Sequence, residues 1–173
     1  MTKMNPLALA IILCTMVSSH CIIIHPKSNA NLIQQTCKQT PNYANCIHYL
    51  KSDPRSSDAD VTGLALIMVD IIKSKANTAL NKINQLIKGS HDQKEALNSC
   101  AGRYRAILVA DVPKSVAALK QGDPKFAEDG ANDVAIEATT CENGFKGKSP
   151  ISDENIDMHD VAVITAAIVK QLL

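Results

Sequence analysis

Residues 60–88 read DVTGLALIMVDIIKSKANTALNKINQLIK, and this stretch decides the fold class. Its apolar residues recur at steps of three and four, which is the spacing of one face of an α-helix. The seam consists of Val61, Ala65, Met68, Ile72, Ala76, Ala79, Ile83 and Leu86. Gly89 follows, and glycine commonly ends a helix. We therefore predict one long amphipathic helix that buries this seam.

Three further helices with the same periodicity follow. The second begins near Asp92 and contains Pro113, which removes a hydrogen bond to the preceding turn and predicts a kink near Val109. The third is predicted over residues 124–145, and the fourth from about residue 152 to the C-terminus. Amphipathic helices with short connections predict an all-α, antiparallel up-down-up-down four-helix bundle.

Two shorter helical pieces, residues 31–40 and 43–50, precede the bundle and are separated by the turn signal Pro41-Asn42. We predict a small helical hairpin at about residues 31–51, then a polar loop to Asp60, and the bundle at about residues 60–173. Tryptophan is absent and aromatic residues make up 3% of the chain, and no stretch alternates apolar and polar residues as a strand would. The length of the chain from residue 25 to 173 fits one domain, and we predict a single domain there.

The N-terminus has the layout of a secretory signal peptide. An apolar run at residues 6–17 follows Lys3 and precedes Ser18 and Ser19. We assign residues 1–24 to this signal, with an approximate cleavage point, and keep a retained membrane anchor as the alternative. The mature chain is expected to be extracellular, in the apoplast, or in the vacuole.

The charge balance of the mature chain argues against two classes of partner. The whole chain has 18 basic and 17 acidic residues, and removing the signal takes away only Lys3, so 17 of each remain. A neutral chain lacks the basic surface that binding to nucleic acid requires. It likewise lacks the charge that holds a peripheral protein on a membrane.

Four of the six cysteines remain after removal of a signal that contains Cys14 and Cys21. An even number in a secreted chain indicates two disulfides, for which three pairings exist. We favour Cys37–Cys46 and Cys100–Cys141, because the latter pair would meet at one end of two antiparallel helices. A zinc site is the less favoured alternative, since the chain has no Cys-x-x-Cys.

No catalytic constellation is present in the sequence. A Gly-x-Ser-x-Gly elbow, a phosphate-binding glycine loop and a His-Glu-x-x-His motif are all absent. His48, His91 and His159 fall in different elements and suggest no nucleophile. Asp129, Asp133 and Glu137 share one helix face, which we interpret as a solvated stripe and not as a metal site. We therefore predict that the chain is not an enzyme, that it needs no cofactor and that it acts by binding another molecule.

The run Gly122-Asp123-Pro124-Lys125-Phe126 is the best candidate for that binding. Gly122 can end one helix, Asp123 can cap the next, and Pro124 suits the first helical position. Lys125 then lies in the first turn, where the helix dipole disfavours a cation. A cation and an aromatic ring on a rigid interhelical corner suggest contact with another molecule. The alternative is that Phe126 packs in the core and Lys125 is simply solvated.

Several motifs resemble those of the plant invertase and pectin methylesterase inhibitor family, and most closely its cell-wall or vacuolar inhibitors of β-fructosidase. They cover essentially the whole mature chain. They are Thr36–Tyr43 with Cys46, Ser52–Arg55, Leu64–Asp70, Asp111–Pro113, Gly122–Gly130 and Ala167–Leu173.

The resemblance implies a four-helix bundle with an N-terminal hairpin and two disulfides in sequential order. It also implies inhibition of acid invertase (β-fructofuranosidase), with Pro124, Lys125 and Phe126 entering the sucrose-binding cleft. The same scaffold also inhibits pectin methylesterase, which is the first alternative. A non-inhibitory secreted helical ligand, recognised through an exposed apolar stripe on a long helix, is the second.

Overall fold

The computed structural model describes residues 29–173, and these form helices and connections without a strand. The predicted signal at residues 1–24, with Cys14 and Cys21, lies outside the described residues. The elements are α1 (Asn29–Cys37), α2 (Tyr43–Ser52), a 3₁₀ turn (Pro54–Ser57), α3 (Val61–Gly89), α4 (Lys94–Ala106), a π-helical segment (Ile107–Asp111), α5 (Val112–Gln121), α6 (Pro124–Asn143) and α7 (Ser152–Lys170). The predicted all-α class is confirmed.

The bundle consists of α3, the interrupted helix α4–α5, α6 and α7. Helix α3 packs against α4, α5 and α7, and α6 packs along α7. The seam predicted on α3 lies in the core: Met68, Ile72 and Ile83 are almost completely buried. Asp60 caps α3, since its Oδ1 accepts a hydrogen bond from the Gly63 N–H at 2.7 Å.

The interruption predicted near Val109 takes the form of a π-helical segment. Pro113 has no N–H to donate to the carbonyl of Val109, so the regular ladder cannot continue there. The extra residue of the π turn shifts the following helix in register. The sequence predicted the place of the irregularity but not its form.

The N-terminal hairpin, formed by α1 and α2, is closed internally by a disulfide and is held on the bundle by polar contacts to α7. The structure joins Cys37 to Cys46 with their Cα atoms 5.5 Å apart. The Tyr49 hydroxyl donates to Asp157 at 2.6 Å. The Asn45 side chain donates to Asp160 at 2.6 Å. The segment after α2, predicted as a polar loop, is partly a 3₁₀ turn.

A second disulfide joins Cys100 of α4 to Cys141 of α6, with Cα atoms 4.8 Å apart. It lies at the end of the bundle opposite the α5–α6 corner. Beside it, the buried Asn155 accepts a hydrogen bond from the Tyr104 hydroxyl at 2.9 Å and donates to Glu142 at 2.7 Å. This network links α4, α6 and α7. Burial alone would raise the pKa of Glu142, but the hydrogen bonds from Asn155 and Ser152 outweigh it and hold this pKa below its ordinary value.

Helices α5 and α6 approach each other closely at Gly130. A Cβ atom at this position would lie 2.3 Å from the Ser115 Oγ and 3.3 Å from the Asp111 carbonyl oxygen. Both distances are shorter than ordinary van der Waals contact. Glycine is therefore required here by space, because Gly130 is helical and needs no unusual backbone conformation.

We expect Gly130→Ala to lower the free energy of unfolding by about 1–3 kcal/mol, because the added methyl group overpacks the α5–α6 contact. Urea unfolding followed by circular dichroism measures this. Gly102→Ala is the matched control: Gly102 is also helical, has no atom within 4 Å of its Cβ position, and should gain up to about 1 kcal/mol. Adding Ser115→Ala to Gly130→Ala should restore part of the lost free energy of unfolding, because it removes the Oγ atom that the new methyl group would meet. Equal stability of the two single glycine variants would contradict the close contact.

Candidate functional site

The corner between α5 and α6 is built by backbone geometry. Gly122 ends α5 in the left-handed region at φ 75°, where glycine is favoured. The Asp123 N–H then folds back and donates to the Ala118 carbonyl at 2.9 Å. Pro124 opens α6 with its backbone already fixed for a helix. The chain therefore reverses direction over two residues at a rigid corner.

Asp123 lies at the N-cap position of α6, as predicted, but it does not make the side-chain hydrogen bond of a capping residue. Its backbone N–H is engaged with α5 instead, which fixes the corner from the other side. Asp123 is exposed to solvent.

Lys125 points into solvent, with 59% of its side chain exposed, but its charge is not isolated. The Nζ atom lies 2.8 Å from Glu128 and 3.1 Å from Asp129, both on the same helix. These contacts raise the pKa of Lys125, chiefly through the hydrogen bond to Glu128. The expected conflict with the helix dipole is therefore offset by two acids in the first turns of α6.

Phe126 is 56% exposed, which excludes the alternative that it packs in the core. The other phenylalanine, Phe145, is buried at the opposite end of α6. An exposed aromatic ring next to an exposed ammonium group gives the corner both an apolar and a charged contact surface. Such a combination suits a protein partner with a partly apolar, acidic recess.

The three acids predicted as a solvated stripe are partly exposed, and each also pairs with a cation. Lys125 pairs with Asp129 as described, Lys114 lies 3.2 Å from Asp133, and Arg103 lies 2.9 Å from Glu137. The contacts of Lys114 and Arg103 cross from α5 and α4 to α6, whereas that of Lys125 lies within α6. Throughout residues 29–173, no three histidine, cysteine or acidic side chains are placed to hold a metal ion.

The histidines do not come together. His48 lies on α2, His91 precedes α4 and His159 lies on α7, and all three are exposed. Two of the sequence motifs do meet: the Arg55 guanidinium contacts Asp53 at 2.6 Å and Asp70 at 2.8 Å. This pairing links the 3₁₀ turn to α3 and has a structural role.

Asp111 is a buried acid that the sequence reasoning did not single out. It lies in the π-helical segment behind the row of paired acids. Burial, followed by the nearby Asp133 and Glu137 carboxylates, raises its pKa to about 6, and Lys114 only partly offsets this. Because the raised pKa belongs to the folded state, the ionised form of Asp111 weakens the fold.

We expect Asp111→Asn to be more stable than the natural chain by about 1–2 kcal/mol at pH 7. The ordinary pKa in the unfolded chain is about 3.9, so the difference should grow as the pH rises from about 4 to about 6 and vanish below about 4. Urea titrations at a series of pH values measure it. A stability difference for Asp111→Asn that stays flat over this pH range would contradict a raised pKa of Asp111 in the folded state.

Among the described residues, no helix is both long enough and apolar enough to span a bilayer.

Comparison with known proteins gives a consistent picture. The family model described as plant invertase/pectin methylesterase inhibitor matches residues 31–170. Cell wall / vacuolar inhibitor of fructosidase 1 of Arabidopsis thaliana is 45% identical over 141 residues, which cover 82% of this chain and 69% of that protein. The pectinesterase inhibitor of Actinidia deliciosa is 32% identical over 127 residues, 70% of this chain and 66% of its own length.

The fold also has a solved counterpart. The crystal structure of a mutant form of a pectin methylesterase inhibitor from Arabidopsis matches with a TM-score of 0.71 at 22% identity. The match covers 84% of this chain and 98% of that chain. At this level of identity the likeness shows a shared fold.

Proposed function

We propose, from the premise that this chain belongs to the plant invertase/pectin methylesterase inhibitor family, that its target is an acid invertase. The members of that family are inhibitors, and the chain is accordingly not an enzyme. On this proposal the corner formed by Pro124, Lys125 and Phe126 enters the sucrose-binding cleft and blocks it.

The observation that carries the proposal is the exposure of this corner on a rigid backbone. Lys125 and Phe126 are held outward by Gly122 and Pro124, which fix the turn before any partner binds. A preformed contact element loses little conformational entropy on binding. The corner is therefore suited to enter a recess as a single unit.

The charge of Lys125 suits the cleft of a glycosidase, which generally carries a pair of carboxylates. Inside a cleft from which water has been displaced, an ammonium–carboxylate pair is stronger than at a surface. Glu128 and Asp129 hold the ammonium group in place in the free inhibitor. On binding, Lys125 must share or exchange these partners with the enzyme's carboxylates, which makes the net gain smaller than for an unpaired lysine.

The choice of invertase over pectin methylesterase is supported by the fructosidase inhibitor among the similar proteins, which is 45% identical, compared with 32% for the pectinesterase inhibitor. Inhibition of pectin methylesterase remains the second candidate function, and the solved structure with this fold is of such an inhibitor. Purified, oxidised mature protein added in parallel to an acid invertase and a pectin methylesterase separates the two.

We further propose that the chain acts in the cell wall or the vacuole. This is supported by the name of the fructosidase inhibitor it resembles and by its two disulfides, which persist in oxidising compartments. Cleavage of residues 1–24 as a signal peptide is part of the same proposal.

We expect Lys125→Ala and Phe126→Ala each to weaken inhibition of invertase at least about 30-fold, which is the loss typical of an interface hot spot. Both side chains would be buried in the cleft and neither supports the core. The inhibition constant for sucrose hydrolysis is the measurement. Lys94→Ala and Ile136→Ala are matched controls, because these side chains are equally exposed but lie away from the corner, and both should inhibit normally.

A folded double variant at Lys125 and Phe126 that inhibits as well as the natural chain would rule out the corner as the contact element. Circular dichroism and the urea midpoint establish that the double variant is folded. Such a result would leave membership of the family untouched, since that rests on the whole chain.

Binding is expected to depend on pH between about 4 and 7, since free carboxylates titrate near pH 4 and the cleft's acids must be ionised to pair with Lys125. Lys125 itself stays protonated, because its pKa is raised. Affinity should therefore fall as the acids of the enzyme become protonated. Calorimetric titrations of one enzyme at several pH values test this, and a Lys125→Met inhibitor should lose most of the dependence. A flat profile for the natural chain would argue against carboxylate recognition.

A further inference from the structure

A small pocket of about 180 Å³ opens directly beside the corner. Four elements converge on it: the first turn of α3, the end of α5, the start of α6 and the residues after α7. The lining residues are Thr62, Leu119, Gly122, Pro124 and Leu172. We call this the corner pocket.

The corner pocket is apolar. None of its five described lining residues is charged, and Leu119 is almost completely buried. No atom lies within 4 Å of the position that a Cβ on Gly122 would take, so this side of the pocket is open. A carboxylate would find no ionic partner among these residues, whereas an aliphatic side chain would be well matched.

The wall formed by Leu172 is fixed although it lies near the end of the chain. The Leu172 N–H donates to the Val169 carbonyl at 2.9 Å. The preceding residue, Gln171, donates from its side chain to the Thr36 carbonyl at 3.1 Å, which ties the C-terminal residues to the N-terminal hairpin. The pocket therefore exists in the free protein and needs no partner to form it.

We propose that the corner pocket receives one aliphatic side chain from the rim of the target enzyme's cleft. This rests on the proposed function, because it takes the corner as the contact element. Pro124 lines the pocket and Lys125 follows it, and consecutive Cα atoms are about 3.8 Å apart. An enzyme that encloses Lys125 therefore comes close to the mouth of the pocket.

The size of the pocket and the cost of leaving it empty support this occupant. A volume of about 180 Å³ admits one side chain of the size of leucine or methionine but no helix or strand. A covered but unfilled apolar pocket forfeits its dispersion contacts, so a side chain that fills it adds affinity. Recognition then runs in both directions: the inhibitor inserts a cation and the enzyme inserts an apolar group.

The test fills the pocket from within. Thr62→Phe places a ring in the space, and Thr78→Phe, an exposed position further along α3, is the matched control. We expect Thr62→Phe to weaken inhibition of an acid invertase at least about 10-fold and Thr78→Phe to leave it unchanged. Leu172→Ala removes part of the wall without adding bulk and should weaken inhibition about 5-fold or more. Urea unfolding establishes that all three variants are folded.

The outcomes separate this inference from the function it rests on. If the natural chain inhibits invertase and Lys125→Ala does not, but Thr62→Phe and Leu172→Ala both inhibit normally, the pocket proposal is overturned and the proposed function stands. If the natural chain does not inhibit invertase, both fall. If sedimentation shows that the free chain forms a dimer that Thr62→Phe dissociates, a second copy is the occupant and the proposal is overturned.

Discussion

The close approach of α6 to α5, which the missing side chain of Gly130 permits, governs the geometry of the end of the bundle that carries the α5–α6 corner. It brings the acids of α6 within reach of the cations of α4 and α5, so that Asp133 meets Lys114 and Glu137 meets Arg103. It also covers Asp111 and raises the pKa of that carboxyl. Because the two helices are held at this distance, the two-residue connection between them has to turn sharply.

That sharp connection explains how the corner combines rigidity with exposure. The left-handed Gly122 and the hydrogen bond from Asp123 back to Ala118 define the backbone, and neither depends on a buried side chain at the tip. Lys125 is steadied by acids of its own helix, so the cation is presented in a restricted set of positions. The side chains of the corner are thus oriented locally, and the bundle beneath supplies only a stable base.

Features governed by local periodicity and local backbone preferences could be predicted from the sequence. The seam on α3, the end of α5 at Gly122 and the start of α6 at Pro124 all follow from neighbouring residues. The pairing of Lys125 with Asp129 was also within reach, because the two residues lie four apart on one helix. Asp129 is thus both a member of the solvated stripe and the ion-pair partner of Lys125.

Features that depend on how distant helices are aligned with each other could not be predicted from the sequence. Lys114 and Asp133 are 19 residues apart, and nothing in their spacing indicates that they face each other. The same holds for the buried bridge from Tyr104 through Asn155 to Glu142 and for the corner pocket, whose walls come from elements far apart in the sequence. A proline marks where a helix cannot stay regular, but the π-helical form follows from the packing around it.

The exposure of Phe126 at the start of α6, set against the burial of Phe145 just after its end, has a consequence for how such a protein can diverge. Side chains in the core are constrained in volume and shape by their neighbours, so most substitutions there lower the stability. Lys125 and Phe126 at the tip of the corner are exposed and do not pack in the core, so they can be substituted while the bundle stays folded. With the corner as the proposed contact element, a lineage of these chains can acquire new molecular targets through a few adjacent codons while the helical framework is inherited unaltered.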